Sequence, residues 1–150
     1  MLEAECGRNR DGSLKDGYTN SPTDAGGETK YGISKRAHPH EDIKNLTLER
    51  ASELYFQEYW TPANCSQLDW PMNLCVFDTA VNMGLGGLSK VQKKMRGETW
   101  SEFLQCRIVR YKEIADRDPV RGKPNYNGWV NRVNNLKKFI AITEEELQSE

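Results

Sequence analysis

Between Glu5 and Ser34 the chain reads ECGRNRDGSLKDGYTNSPTDAGGETKYGIS, thirty residues dominated by glycine, charge and hydroxyl. Such a run buries too little apolar surface to build a core, so the core of this 150-residue chain must come from elsewhere. That requirement falls on the residues after it, and they read as amphipathic helix. The polar run is left as an ordered loop lining whatever lies between the first helical turn and the helical body, and ordered polar loops are where binding and catalysis concentrate.

The helical reading rests on spacing and punctuation. Residues 1–5 resemble the last turn of a helix, too short to hold itself, so they dock on the body or continue a longer helix upstream. In RNRDGSLKDG, residues 8–17, two Asp-Gly pairs around Ser-Leu-Lys predict a small hairpin. A short helical segment is expected over 33–37, stopped by Pro39. Thr47 is an N-cap for a helix over 48–59, with Leu48, Ala51, Leu54, Tyr55 and Tyr59 on one face and Pro62 beyond its end. Pro71 opens a buried helix, MNLCVFDTAVNMG, apolar nearly all round. Gly84, Gly86 and Gly87 break the chain before a segment over 88–95, and Thr99 with Glu102 forms a capping box for a helix to about Asp116. Pro119 and RGKPN read as a loop, Trp129, Val133, Leu136 and Ile140 as a further helix, and Thr143 with Glu146 as the cap of an acidic tail. The expected fold class is mainly α, one domain over 1–150, with a front lobe over 1–46 carrying a small irregular or β-hairpin element and a helical body over 47–150.

Charge narrows the partners. Lys and Arg number 21, Asp and Glu 22, for a net charge of -1, which lacks the basic excess of a nucleic-acid footprint. The basic run at 90–96 is the wet side of a helix. No stretch reaches the roughly 18 apolar residues of a membrane span, and MLEAEC lacks the apolar core of an export signal. The expectation is a monomer made in the cytoplasm, with no membrane insertion, reaching any extracellular target only after release or as part of a larger particle. Cys6, Cys65, Cys75 and Cys106 lack metal-ligand spacing and are expected as free, mostly buried thiols. His38 and His40 would point to different helix faces, so no metal site and no cofactor is expected.

Glu5-Cys6-Gly7, followed by GYTNSPTDAGGETKYGIS from Gly17 to Ser34, resembles the signature of phage-type N-acetylmuramidases of glycoside hydrolase family 108. In that pattern a helix ends in a catalytic Glu and small residues, followed by Gly-Tyr-x-Asn-x-Pro-x-Asp-x-Gly-Gly-x-Thr-x-x-Gly-Ile. The likeness continues in NLTLERASELYFQEYW, VFDTAVNMG and NGWVNRVNNL, nearly the whole chain in order. It departs from the pattern in the ten residues inserted between Gly7 and Tyr18, and an ungapped alignment would set Lys15 in the place of the acid. A second departure is the absence, after Val91-Gln92, of a Gly-x-x-Gly-Pro-x-Thr loop often seen in the family's wall-associated half.

The resemblance implies a lysozyme-like enzyme cutting the β-1,4 bond between N-acetylmuramic acid and N-acetylglucosamine of bacterial peptidoglycan. Such chemistry needs a proton donor for the leaving oxygen, which favours a carboxyl in a partly buried place that raises its pKa. Glu5 is the candidate. A water on the other face of the sugar needs polar partners, and the order Glu, Asp, Thr points to Asp24 and Thr29. Gly26 and Gly27 would let the backbone approach a sugar ring; Tyr18, Asn20 and Tyr31 would pack on it or hydrogen-bond to it. Asp78 and Asn82, one helical turn apart, are expected in a buried network with the front lobe, and Trp60 and Trp129 in packing. Two rivals stay open: an inactive saccharide-binding or virion structural protein that keeps the fold, and a lytic transglycosylase, in which the sugar's own hydroxyl replaces water.

Overall fold

The computed structural model describes residues 1–21 and 26–148, and the chain divides into two compact units, Met1–Glu58 and Tyr59–Glu150. The first opens with α1, Leu2–Cys6, a helix of five residues without a side-chain cap or a buried residue. A helix this short is held by its neighbours. The inserted residues form a hairpin: Arg8 and Leu14 bridge antiparallel, the Asn9 N–H donates to Ser13 O at 2.8 Å, and the Lys15 N–H to Gly7 O at 3.0 Å. At the tip the Asp11 carboxylate accepts both the N–H and the hydroxyl of Ser13, at 2.9 and 2.6 Å, the self-bonding that favours Asp in turns.

The chain then runs beside a minimal sheet. Thr19 and Thr29 exchange two backbone hydrogen bonds of 2.9 Å. Strand β1 (Thr29–Lys30) pairs antiparallel with β2 (Ile33–Ser34), Lys30 opposite Ile33. Tyr31 and Gly32 form the two-residue turn, with φ of +51° and +76°, the doubly left-handed pattern that matches strand twist. Residues 33–37, expected as a short helix, therefore begin as a strand. The turn decides it: Gly32 accepts the left-handed backbone, and the β-branched, buried Ile33 takes the pairing position.

Three side chains tie this lobe to helix α2, Leu48–Tyr55, and to the turn that follows it. The Tyr55 hydroxyl donates to Tyr31 O at 2.9 Å, Arg50 grips Glu41 at 2.6 Å, and His38 Nε2 lies 2.8 Å from Glu58. Thr47 caps α2 as expected, its hydroxyl accepting the Arg50 N–H at 3.1 Å, an interaction worth about 1 kcal/mol. Beyond Tyr55 the helix widens into a π-helical turn, Phe56–Trp60, rather than continuing regularly to residue 59.

The second unit packs three long helices, α3 (Met72–Gln92), α4 (Trp100–Arg117) and α5 (Gly122–Gln148). Val76, Ala80, Leu88, Phe103, Leu104, Val133 and Ile140 are buried in its core. The glycine break falls at Gly84 alone, whose φ of +72° kinks α3, while Gly86 and Gly87 stay helical. Thr99 caps α4, accepting the Glu102 N–H at 3.2 Å. The Glu102 carboxylate turns instead to the N–H groups of Arg96 and Gly97, at 2.7 and 2.8 Å. Only the start of the expected loop is one: residues 119–121 form a turn, while residues 122–125 make the first turn of α5, where proline costs no hydrogen bond. Thr143 does not cap a separate tail helix, since its hydroxyl donates back to Phe139 O at 2.9 Å within the continuous α5. No described helix is long and apolar enough to cross a membrane.

Candidate active site

The end of α1 leans on two glycines of the sheet region. A Cβ on Gly17 would stand 3.8 Å from Cys6 Cβ, and one on Gly32 would stand 3.5 Å from Glu5 Cβ and 3.7 Å from Glu5 Oε2. Both glycines have left-handed backbones, φ +61° and +76°, so each supplies a turn and a close approach together. Glu5 thus lies against the turn between β1 and β2. Its side chain is exposed, not partly buried as expected, because α1 is one short helix covered on a single side. The neighbouring Cys6 thiol is pushed above its ordinary range by burial, then by the negative charges of Glu5 and Asp16.

Tyr31 is the strained residue of this region. An aromatic side chain at φ +51° costs on the order of 1–2 kcal/mol, and neighbours hold it there. Its N–H donates to Asp16 O at 2.6 Å, its carbonyl accepts from Tyr55, and the Lys30 ammonium lies 5.6 Å from its ring centre. Backbone strain fixed by several partners is characteristic of sites that must present one side chain accurately.

Tyr31 borders an open groove of about 550 Å³, lined also by Asn9, Leu14, Lys15, Asp16, Gly17 and Tyr18. The inserted hairpin and the segment after it form most of the wall. Tyr18, 38% exposed, is braced from outside the groove: its hydroxyl donates to Glu28 Oε1 at 2.7 Å and its N–H to Asp16 Oδ1 at 3.1 Å. The Glu28 bond holds the phenol proton, raising the Tyr18 pKa above its usual value. Glu5 is not among the groove-lining residues; it abuts Gly32, the residue after the groove's Tyr31.

The other candidates fall as follows. Asp24 lies outside the described residues. Thr29, half-buried in β1, donates its hydroxyl to Gly27 O at 3.3 Å. Asn20 is exposed and is not among the groove-lining residues. Gly26 accepts the Arg36 N–H at 3.2 Å, and Gly27 has φ +70° with open space where a Cβ would stand. Gly27 therefore answers a backbone need, and neither glycine lines the groove. Residues 26–36 thus form a ladder extending the β1–β2 pair, with the Lys35 N–H on Glu28 O at 2.8 Å. Sequence reasoning missed Asn9, Asp16 and Tyr55, and it considered Lys15 only as a replacement for the acid. The Asp-Gly pair at 16–17 was the available signal for Asp16.

Within the second unit Asp78 and Asn82 form a largely buried network. Arg107 Nη1 donates to Asp78 Oδ2 at 2.7 Å, Arg132 Nη2 to Oδ1 at 2.9 Å, and Tyr111, accepting from Arg107 Nε at 2.9 Å, donates to Asn82. Trp129 stacks on Tyr111 with ring centres 5.1 Å apart, and Trp60 meets Phe77 edge-on at 5.3 Å, both packing roles. All four cysteines are unpaired; burial drives the Cys65 and Cys75 thiols up to about 11 and about 12. Among the described residues no cluster of three or more His, Cys, Asp or Glu is placed to hold a metal ion.

Residues 11–84 match the family Glycosyl hydrolase 108, a span of 74 of the 150 residues that begins beyond Glu5. No curated protein sequence matches the chain. Among solved structures, that of Brucella abortus SagA is similar with a TM-score of 0.64 at 18% identity, over 83% of this chain and 86% of that one. A likeness at that identity speaks for the fold alone. Over residues 11–84 the chain is therefore similar to glycosyl hydrolase family 108, and its fold is mainly helical with a small two-stranded sheet.

Proposed function

We propose that the chain is a peptidoglycan hydrolase of the N-acetylmuramidase type, cutting the β-1,4 bond between N-acetylmuramic acid and N-acetylglucosamine. Glu5 is its general acid, and Asp24 and Thr29 position the attacking water. The observation that carries this reading is the seating of Glu5 against Gly32, beside the strained Tyr31 that walls the groove. A saccharide lying along Tyr18 and Tyr31 passes the turn that Glu5 abuts. Its body covers an otherwise exposed carboxyl, and this supplies the drier surroundings that proton donation to a leaving oxygen needs. The proton transfers use side chains and water, with no cofactor in any step. The target is the bacterial wall, reached after release from a host cell or as part of a phage particle.

A second reading draws support from one observation: Lys15, not Glu5, lines the groove. A chain that grips the polymer without cutting it would be a wall-binding protein on a hydrolase fold. Clearing of purified wall suspensions, followed by turbidity for the native chain and for Glu5→Gln, separates the two. The hydrolase reading expects clearing by the native chain and a fall of at least about a hundredfold in the variant. Clearing that survives the substitution removes Glu5 from the mechanism. Sedimentation with the wall in the absence of any clearing favours the binding protein. Released fragments with anhydro ends, one water lighter than hydrolysed ends, would mark a transglycosylase instead.

A further inference from the structure

Toward the end of α5, charges of opposite sign share one face at a spacing that keeps them apart. Lys138 and Glu145 are both exposed, and the exposed Ile142 lies between them, four residues after the one and three before the other, so all three stand on one side of the helix. A helix pairs its charges at a spacing of three or four residues. No residue at those distances from Lys138 is acidic, and none at those distances from Glu145 is basic. Neither side chain has an ion pair among the described residues. Glu144, Glu145 and Glu146 crowd the C-terminal end of α5, and its last turn holds no basic residue. Negative charge there opposes the helix dipole, so a cation brought from outside would stabilise this end.

The same stretch runs on beyond α4. Residues 118–121 join the two helices, and they pack closely at that join, where a Cβ on Gly122 would stand 2.5 Å from Ala115 Cα. With 18 residues in α4 and 27 in α5, α5 outruns α4 by roughly 13 Å. Phe139, Ile142 and Leu147 are 55%, 56% and 62% exposed there, and Trp70 meets Phe139 only edge-on, ring centres 6.3 Å apart. Large apolar side chains exposed together mark a contact surface. The glutamates disfavour an anionic membrane. What fits is a face with an apolar centre and with lysine and glutamate in the reverse order, and α5 turned end for end is such a face.

We propose that two copies of this chain pair through the outer faces of α5, antiparallel about a two-fold axis beside Ile142, with Lys138 of each copy meeting Glu145 of the other. Lys138 lies about 6 Å before Ile142 along the helix axis and Glu145 about 4.5 Å after it, so the two-fold brings them level, and it makes the contact twice. Ile142 and Phe139 fill the centre. The pairing replaces the monomer expected from the sequence, and it does not depend on what the first unit binds or cuts.

The test is sedimentation of the native chain from about 1 µM to about 1 mM, a range suited to the small area that two short helical stretches bury. The mass is expected to rise with concentration from one chain to two and no further, and the rise to weaken with salt. Lys138→Glu and Glu145→Lys each set like charges opposite one another twice, and each alone is expected to weaken pairing about ten- to a hundredfold. Mixed in equal amounts, the two variants regain opposite charges at both contacts, and pairing is expected to return to native strength. Ile142→Ser is expected to weaken it about tenfold. All three side chains are on the surface, so the helical circular dichroism of each variant is expected to match the native chain's. A native chain that stays single throughout overturns the proposal, as does a pair that the charge reversals or Ile142→Ser leave intact, or that the mixture fails to restore. Assembly beyond two copies also overturns it, because a two-fold contact closes on itself.

Discussion

The Tyr55 hydroxyl donates to the carbonyl oxygen of Tyr31 across 2.9 Å, joining a buried residue of α2 to the only described aromatic side chain with a left-handed backbone. This bond fastens the groove wall to the helix behind it. Tyr55→Phe keeps the ring and removes the donor, leaving a strained turn with one anchor fewer. A loss of about 1 kcal/mol in urea unfolding is expected, together with weaker saccharide binding. Unchanged stability and unchanged binding would mean that the Asp16 bond alone fixes Tyr31.

Gly17 and Gly32 separate two roles of glycine. Each has a left-handed backbone, so alanine at either pays the conformational cost, about 1 kcal/mol. At Gly17 the new Cβ meets Cys6 at ordinary contact distances, whereas at Gly32 it collides with the Tyr55 hydroxyl and only touches Glu5. Gly32→Ala is therefore expected to destabilise by about 1–3 kcal/mol more than Gly17→Ala, and to reduce wall clearing. Equal unfolding midpoints for the two variants would show that the turn relaxes around the methyl group.

The helices were legible because their signals are local. Thr47 and Thr99 cap where their hydroxyls predict, and the hairpin over 8–17 follows from its Asp-Gly pairs. Where one residue serves two states, the sequence misleads. Pro124 suits a loop and a first helical turn equally, and only packing against α4 extends α5 back to Gly122. Ile33 suits a helix and a strand, and the turn before it decides. The groove was less legible still, since Lys15 and Tyr31 share it through the pairing of Asp16 with Tyr31, a contact between residues distant in sequence that carries no local pattern.

Asp78 makes the second unit sensitive to acid. Burial raises its pKa, but the Arg132 hydrogen bonds and the charges of Arg107 and Arg132 outweigh burial, and the net shift is downward from 3.8. A carboxylate depressed in the folded state contributes stability that is complete above its unfolded pKa and is lost as pH falls through the folded one. Stability in urea is expected to hold from pH 7 to about 5 and then decline. Asp78→Asn leaves two arginines without their counter-charge and is expected to cost about 3–5 kcal/mol at pH 7, with the acid-sensitive portion of the profile flattened. A variant profile parallel to the native one would place the acid sensitivity in other carboxylates.

Thr29 offers the sharpest division between scaffold and chemistry. Its hydroxyl donates to Gly27 O at 3.3 Å, a long bond whose loss costs little, while its backbone pairs on both sides, with Thr19 and with Ser34. Thr29→Val preserves shape and strand preference but has no hydroxyl; Thr29→Ser preserves the hydroxyl. If this oxygen holds the attacking water, as proposed, the valine variant loses about ten- to a hundredfold in wall clearing and the serine variant retains most of it. Both are expected to unfold within about 1 kcal/mol of the native chain. Clearing by Thr29→Val at the native rate, with unfolding unchanged, would confine the hydroxyl to bracing the Gly27 turn and leave the water to other groups.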